Sequence, residues 1–194
     1  MTAWSADPFD ELLPGALAGA ADAHFTPVHV ATRAALLLTQ HLPTANVLDI
    51  GAGAGKFCIH GALSVPTARF VGVELRPHLV ALAHSLARQL HADNTQFICG
   101  DAFELDWCLY DAIYLFNPFG EFLHDGYQPL DDALHLTSAD FFRFVELAEK
   151  RLSTLRPGMR VMTYHGFGGA MPAGFALLSS TPIGSDALEL WCRV

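Results

Sequence analysis

The sequence predicts an α/β fold: a doubly wound, mostly parallel seven-stranded sheet between helical layers, closed by an antiparallel C-terminal hairpin. Three observations predict it. After residue 45, strand-length apolar runs alternate with helical patterns, which implies parallel pairing through right-handed crossovers. Runs such as "VLDI", "FVGVEL" and "DAIYLF" are continuous rather than alternating, as strands covered on both faces are. The last two runs, "FALLSS" and "LELWCRV", are close-spaced and joined by the turn "TPIGSD", which marks an antiparallel pair. With 194 residues, 52% hydrophobic and 16% charged, the chain is long enough for one core and too apolar for disorder.

The elements can be justified in order. "HFTPVHVATRAALLLTQHLP" reads as a helix with Thr26 as N-cap, Pro27 at the first helical position and Pro43 just past the end. Residues 1–45 are therefore expected to form an N-terminal helical cap near the ligand crevice, ahead of a main domain over 46–194. Val47 to Ile50 is the first strand, a helix follows from about Lys56 to Leu63, and Phe70 to Glu74 is the second strand. The next helix has Pro77 in its first turn and Leu79, Ala83, Leu86 and Leu90 on one face at spacings of three and four. "TQFICG" and "DAIYLF" are the third and fourth strands. Ser138 is the expected N-cap of a long helix with a stripe of Phe141, Val145, Ala148, Leu152 and Leu155, stopped by "RPG" before the fifth strand, "RVMTYH".

Composition narrows the function classes. The formal charge is −9, from 20 acidic against 11 basic side chains, and no stretch concentrates Lys and Arg, so nucleic acid is disfavoured as a partner. Cys58, Cys99, Cys108 and Cys192 form no C-x-x-C pair, so neither a metal site nor a redox motif is expected. No apolar run approaches the ~18 residues of a membrane span. The N-terminus lacks a basic start followed by an apolar stretch, and a cytoplasmic location is expected.

Chemistry concentrates in "NVLDIGAGAGKF". Gly51, Gly53 and Gly55 fall at the carboxyl end of the first strand, where doubly wound sheets bind ligands. A dinucleotide fingerprint needs a third glycine where this chain has Lys56. Asp49, two residues before the first glycine, would repel a pyrophosphate and favour a cation such as a sulfonium or an amino group. Glu74 ends the second strand about 20 residues further on, placed to accept from both hydroxyls of a ribose. Asp101 follows the third strand in "CGDAF", with a carboxylate able to accept from an adenine amino group and Phe103 offering an aromatic face. Each piece also has a plain structural reading: tight strand-to-helix packing for the glycines, a solvated strand end for Glu74, turn chemistry for Asp101. Their succession on adjacent strands carries the reading.

Over about residues 45 to 194 the chain resembles the class I S-adenosylmethionine-dependent methyltransferases, through "VLDIGAGAG", "FVGVEL", "CGDAF" and "DAIYLFNPF" in that order. The resemblance implies a Rossmann-like α/β/α sandwich and S-adenosylmethionine as cofactor. It places Asp49 and the Gly51, Gly53 and Gly55 loop under the methionine part, Glu74 with Leu75 at the ribose, Asp101 with Ala102 and Phe103 at the adenine, and Asn117 on the methyl-transfer face. "FNPFGEF" is similar to the N-P-P-F/Y signature of amino-group methyltransferases, with the second proline missing and Phe119 one place closer. The stacking role of that ring does not carry over directly, and a strand-ending turn with Phe119 packed inward is the other reading.

Between this turn and the long helix, Gly120 to Thr137 carries Glu121, His124, Tyr127, Asp131, Asp132 and His135 on a connection long enough to cover a substrate. His124 is the first choice of general base and Tyr127 the second; Asp131 and Asp132 read as solvent-facing. His165 ends the fifth strand and points either into the crevice or to a local cap, and His29, His41, His60, His78, His84 and His91 read as structural or surface residues. Methyl transfer from a sulfonium is an in-line displacement that requires no metal. The expected activity is methyl transfer to a protein side chain or small molecule. A nicotinamide-dependent oxidoreductase and a non-catalytic cofactor-binding module are the alternatives.

Overall fold

The computed structural model describes residues 9–42, 44–123, 130, 131, 134 and 137–194. Its seven strands are β1 (Asn46–Ile50), β2 (Arg69–Glu74), β3 (Thr95–Cys99), β4 (Ala112–Phe116), β5 (Arg160–Tyr164), β6 (Phe175–Ile183) and β7 (Asp186–Arg193). They form one sheet in the order β3-β2-β1-β4-β5-β7-β6. The first five pair in parallel, and β7 inserts antiparallel between β5 and the edge strand β6. The expected fold is observed, including the reversed final hairpin. The strand order reverses between β1 and β4, so their carboxyl ends flank the crevice that this topology opens to ligands.

Alternation along the strands divides the core in two. Val47, Phe70 and Tyr114 face a layer made by α2 (Val28–Thr39), α3 (Lys56–Ser64) and α4 (Pro77–Gln89). Leu48, Ile50, Ile113 and Leu115 face α5 (Ser138–Ser153) and an aromatic group around Phe103 and Trp107. Asp49 follows the parity of Val47 and lies on the α3 side.

The helices start differently from the sequence expectation in two places. Pro27, not Thr26, is the N-cap of α2, and the Thr26 hydroxyl lies 3.1 Å from the buried Tyr114 hydroxyl. A buried phenol needs a partner more than a helix already begun by proline needs a side-chain cap. In α5 the cap is Thr137, one residue ahead of Ser138, because only Thr137 forms the reciprocal capping box with Asp140. Pro43 lies outside the described residues.

The sequence pattern also passed over α1 (Gly15–His24), whose "GALAGAADAH" has no strong apolar stripe. The two N-terminal helices divide the space: α2 buries Ala31, Ala34 and Leu38 and packs on α3, while the turn after α1 reaches the crevice. Among the described residues, no helix is long and apolar enough to cross a membrane.

Candidate active site

β1 runs directly into the glycine bend. The N–H groups of Gly51 and Ala52 both donate to the Val73 carbonyl at 3.0 Å, which ties the bend to β2. Gly53 has a φ of +55°, and a Cβ there would stand 2.7 Å from the Phe25 ring. Only glycine allows both the left-handed backbone and the close approach of the N-terminal segment. Gly55, at φ +81°, is the N-cap of α3 and packs against Phe97 rather than facing the crevice.

Glu74 is buried and clamped. One carboxylate oxygen accepts from the Gly53 N–H at 3.1 Å and the other from the Arg76 N–H at 3.0 Å. Burial pushes its pKa up, against the opposing pull of the Arg76 N–H and guanidinium and the Gly53 N–H. This is not a solvated strand end. Asp49 is also buried, with the Cys58 thiol donating to it at 3.5 Å. Desolvation is the main cause of its pKa rising to about 7, with the Glu74 charge adding to it and the Cys58 bond opposing it.

Two adjoining clefts share Gly51, Glu74, Arg76, Pro118 and Glu121. The first, about 540 Å³, adds Gly53, Phe25, His24, Phe116 and Asn117. The second, about 500 Å³, adds Leu75, Asp101, Ala102 and Phe103. A third and smaller one holds Asp49 beside His24 and Lys56. The Asp101 carboxylate accepts from the Phe103 N–H at 2.9 Å and so opens a short 3-10 turn. Phe103 is buried in a stack with Trp107, Phe119 and Phe144 and forms the cleft wall from there. The donor set suits a nucleoside bearing a positive tail: carboxylates at three strand ends, a bare main-chain bend and an aromatic wall.

After β4, Asn117 takes a φ of +37°, its N–H donating to the Gly166 carbonyl and its carbonyl accepting from Gly120, each at 3.0 Å. The following turn sends Phe119 and Phe122 inward, so Phe119 joins the core and the inward-packing reading holds for it. His124, Tyr127, Asp132 and His135 lie outside the described residues.

Asp131 is not solvent-facing. It accepts from Arg76 Nε at 3.1 Å and pairs with His78 at 2.9 Å, because the buried guanidinium needs more than one carboxylate. His165 turns away from the clefts, with Nε2 2.9 Å from the Ser185 hydroxyl and Nδ1 3.2 Å from Asp186, so the local cap describes it.

Several site residues escaped sequence reasoning. Arg76 is buried among Glu74, Glu121 and Asp131; desolvation opposes its charge, but the three carboxylates outweigh it and raise its pKa. Its signal was an arginine in "ELRP", between a strand tip and a helix-starting proline. His24 pairs with Glu121 through Nδ1 at 3.0 Å. Lys56 donates to Asp10 at 2.7 and 3.0 Å and lies over the Phe9 ring, fastening the N-terminal segment to the start of α3. Among the described residues, no group of three or more His, Cys, Asp or Glu could hold a metal ion.

This strand order and this crevice are those of the class I S-adenosylmethionine-dependent methyltransferases. A family model described as "Methyltransferase domain" matches residues 41–166, and the chain belongs to that family. The tRNA (guanine-N(7)-)-methyltransferase of Rubrobacter xylanophilus is 45% identical over 56 residues, 28% of this chain and 24% of that protein. The secondary metabolism regulator laeA of Aspergillus niger is 31% identical over 118 residues, 58% of this chain and 29% of that one. The chain thus spans under a third of the length of these two curated relatives. An RNA methyltransferase from Salinibacter ruber, solved in complex with S-adenosyl-L-homocysteine, superposes with a TM-score of 0.62 at 25% identity, covering 87% of this chain and 92% of the other.

Proposed function

We propose that this protein binds S-adenosylmethionine across the two adjoining clefts and transfers its methyl group to a small molecule or a protein side chain. The supporting observation is the convergence of the Gly51–Gly53 bend, Glu74 and Asp101 on one continuous crevice with Asn117 at its β4 side. The cofactor supplies, when bound, a methyl group made electrophilic by its sulfonium. The chain's own residues hold and orient. Asp49 and the glycine bend serve the charged amino-acid end, Glu74 the ribose, and Asp101 with Leu75, Ala102 and Phe103 the adenine. Asn117 and the Pro118 carbonyl present hydrogen-bonding groups toward the acceptor, and the N-terminal turn at Phe25 excludes water.

Charge argues for the acceptor class. The two clefts carry Glu74, Glu121 and Asp101 against Arg76 among their described lining residues, on a chain of net charge −9, which repels a polyanion. The short matches to tRNA methyltransferases favour RNA as the second reading. Incubation with methyl-labelled cofactor and a lysate fractionated into small solutes, protein and nucleic acid separates the two. Label is expected in small solutes or protein; label confined to RNA would establish the second reading. Calorimetric titration with S-adenosylmethionine tests the cofactor itself, and transfer of label separates an enzyme from a non-catalytic binding module.

A further inference from the structure

We propose that the methyl acceptor is a small, uncharged aromatic molecule whose ring lies between Phe116 and Phe25, with Asn117 at its edge. The proposal rests on the methyl-transfer reading above and adds to it the chemical class of the acceptor.

The segment "FNPFGEF" carries three rings, and the fold sends them to different places. Phe119 and Phe122 are buried in the core on the α5 side and line the second cleft. Phe116 follows the parity of Tyr114, packs on the opposite core and lines the first and third clefts. Phe25 lines the same two clefts, entering from the end of α1. One ring from a strand tip and one from the N-terminal segment thus flank the place beside Gly51 where the cofactor's reacting end would lie.

Both rings are fixed from behind. Phe116 pairs with Tyr164 across the sheet, their ring centroids 5.4 Å apart, and the His165 ring stands at 5.7 Å. The Tyr164 hydroxyl in turn donates to the Ile183 carbonyl at 3.2 Å, which fastens this support to the β6–β7 hairpin. The Phe25 ring rests on Gly53, where a Cβ would stand 2.7 Å from it. Rings held in place before binding lose little freedom when a third ring enters, and aromatic pairs attract each other beyond the area they bury. The adenine leaves this place open, because in the reading above it lies in the second cleft against Phe103.

The polar groups refine the class. Asn117 lines the first cleft with its side chain lodged against Gly120, and its amide makes no hydrogen bond among the described residues. It is left to meet an O–H or N–H carried on the edge of the bound ring. Glu74 and Glu121 outnumber Arg76 on the described walls of this cleft, which disfavours a ring bearing a carboxylate.

The test uses the full chain with S-adenosylhomocysteine added, and phenol, cyclohexanol and benzoate as probes. Saturation-transfer NMR should detect phenol, but neither cyclohexanol, which is similar in size and not planar, nor benzoate, which is planar and charged. Phe116→Leu keeps the apolar bulk and removes the ring face; it should weaken phenol binding roughly threefold to tenfold, the amount one ring pair contributes. Phe116→Tyr should restore it. Calorimetric affinity of both variants for S-adenosylmethionine should stay within about twofold of wild type, which a folding defect would not allow. With labelled cofactor and the small-solute fraction of a lysate, the labelled product should be aromatic, and Phe116→Leu should raise the KM for its precursor. The inference is overturned if phenol fails to bind, if cyclohexanol or benzoate binds as well, or if Phe116→Leu weakens the cofactor as much as it weakens phenol. Label in protein, in RNA or in a non-aromatic solute overturns it too. Failure of calorimetry to detect cofactor binding to the wild type would instead remove the underlying methyl-transfer reading.

Discussion

Arg76 Nη2 lies 2.6 Å from Glu121 Oε2, joining the tip of β2 to the turn after β4 across the crevice. The same guanidinium contacts Asp131 through Nε and approaches Glu74 at 3.7 Å. One buried cation therefore balances carboxylates from three separate segments, two of them on the walls of both clefts.

Removing that cation leaves buried negative charge behind. Arg76→Met is expected to destabilise the fold by about 3 kcal/mol, the usual cost of breaking a buried pair from one side. Arg76→Lys should recover only part of this, because a point charge cannot serve Glu121 and Asp131 with separate nitrogens. Denaturant titrations of the three proteins measure the difference.

The glycine bend gives a prediction with an internal control. Gly53→Ala meets both a φ of +55° and the Phe25 ring, so it should weaken cofactor affinity and cost roughly 1–3 kcal/mol of stability. Adding Phe25→Ala relieves the contact but not the backbone. If the double variant is more stable than the sum of the two single changes predicts, that surplus measures the contact, and the loss left over belongs to the φ angle.

Asp49 sets a pH dependence. Burial holds its folded pKa at about 7, above the ordinary aspartate value of 3.8. Below 3.8 it is protonated in both states. As pH rises, the unfolded chain ionises first while the fold retains its proton, so this residue makes stability decline from about pH 4 to about pH 7, after which its effect is constant. Asp49→Asn should remove that decline in melting temperature. A bound cation favours the ionised carboxylate, so wild-type affinity for S-adenosylmethionine should rise with pH through about 7. Proton release, read by calorimetry in two buffers of different ionisation heat, checks this linkage.

The sheet was legible because its strands are unbroken apolar runs separated by turn residues, and the crevice because Gly51, Glu74 and Asp101 each stand at or just past the carboxyl end of a strand. Position in sequence alone places them in space once the topology is known. What escaped was long-range pairing. Arg76, His24 and Lys56 look like ordinary surface residues in one dimension, and their burial follows from carboxylates 45, 97 and 46 residues away in the chain. Thr26 was misread for the same reason: its partner, Tyr114, is 88 residues distant. The Ala- and Gly-rich α1 had no apolar stripe for periodicity to detect.

Asn117 allows backbone and chemistry to be tested apart. At φ +37° it occupies a region that asparagine tolerates better than most residues and glycine better still. Its main chain is held from both sides, by Gly166 and by Gly120, and a Cβ on Gly120 would collide with the Asn117 amide. Asn117→Ala should therefore lose about 1 kcal/mol of stability to the backbone, while Asn117→Gly should lose less. Both variants remove the side-chain amide from the wall of the first cleft, and under the proposed function both should lose methyl transfer to a similar extent while still binding S-adenosylmethionine. A stability ranking without a matching activity ranking would assign the amide to orientation of the acceptor; activity that follows stability would confine Asn117 to shaping the turn.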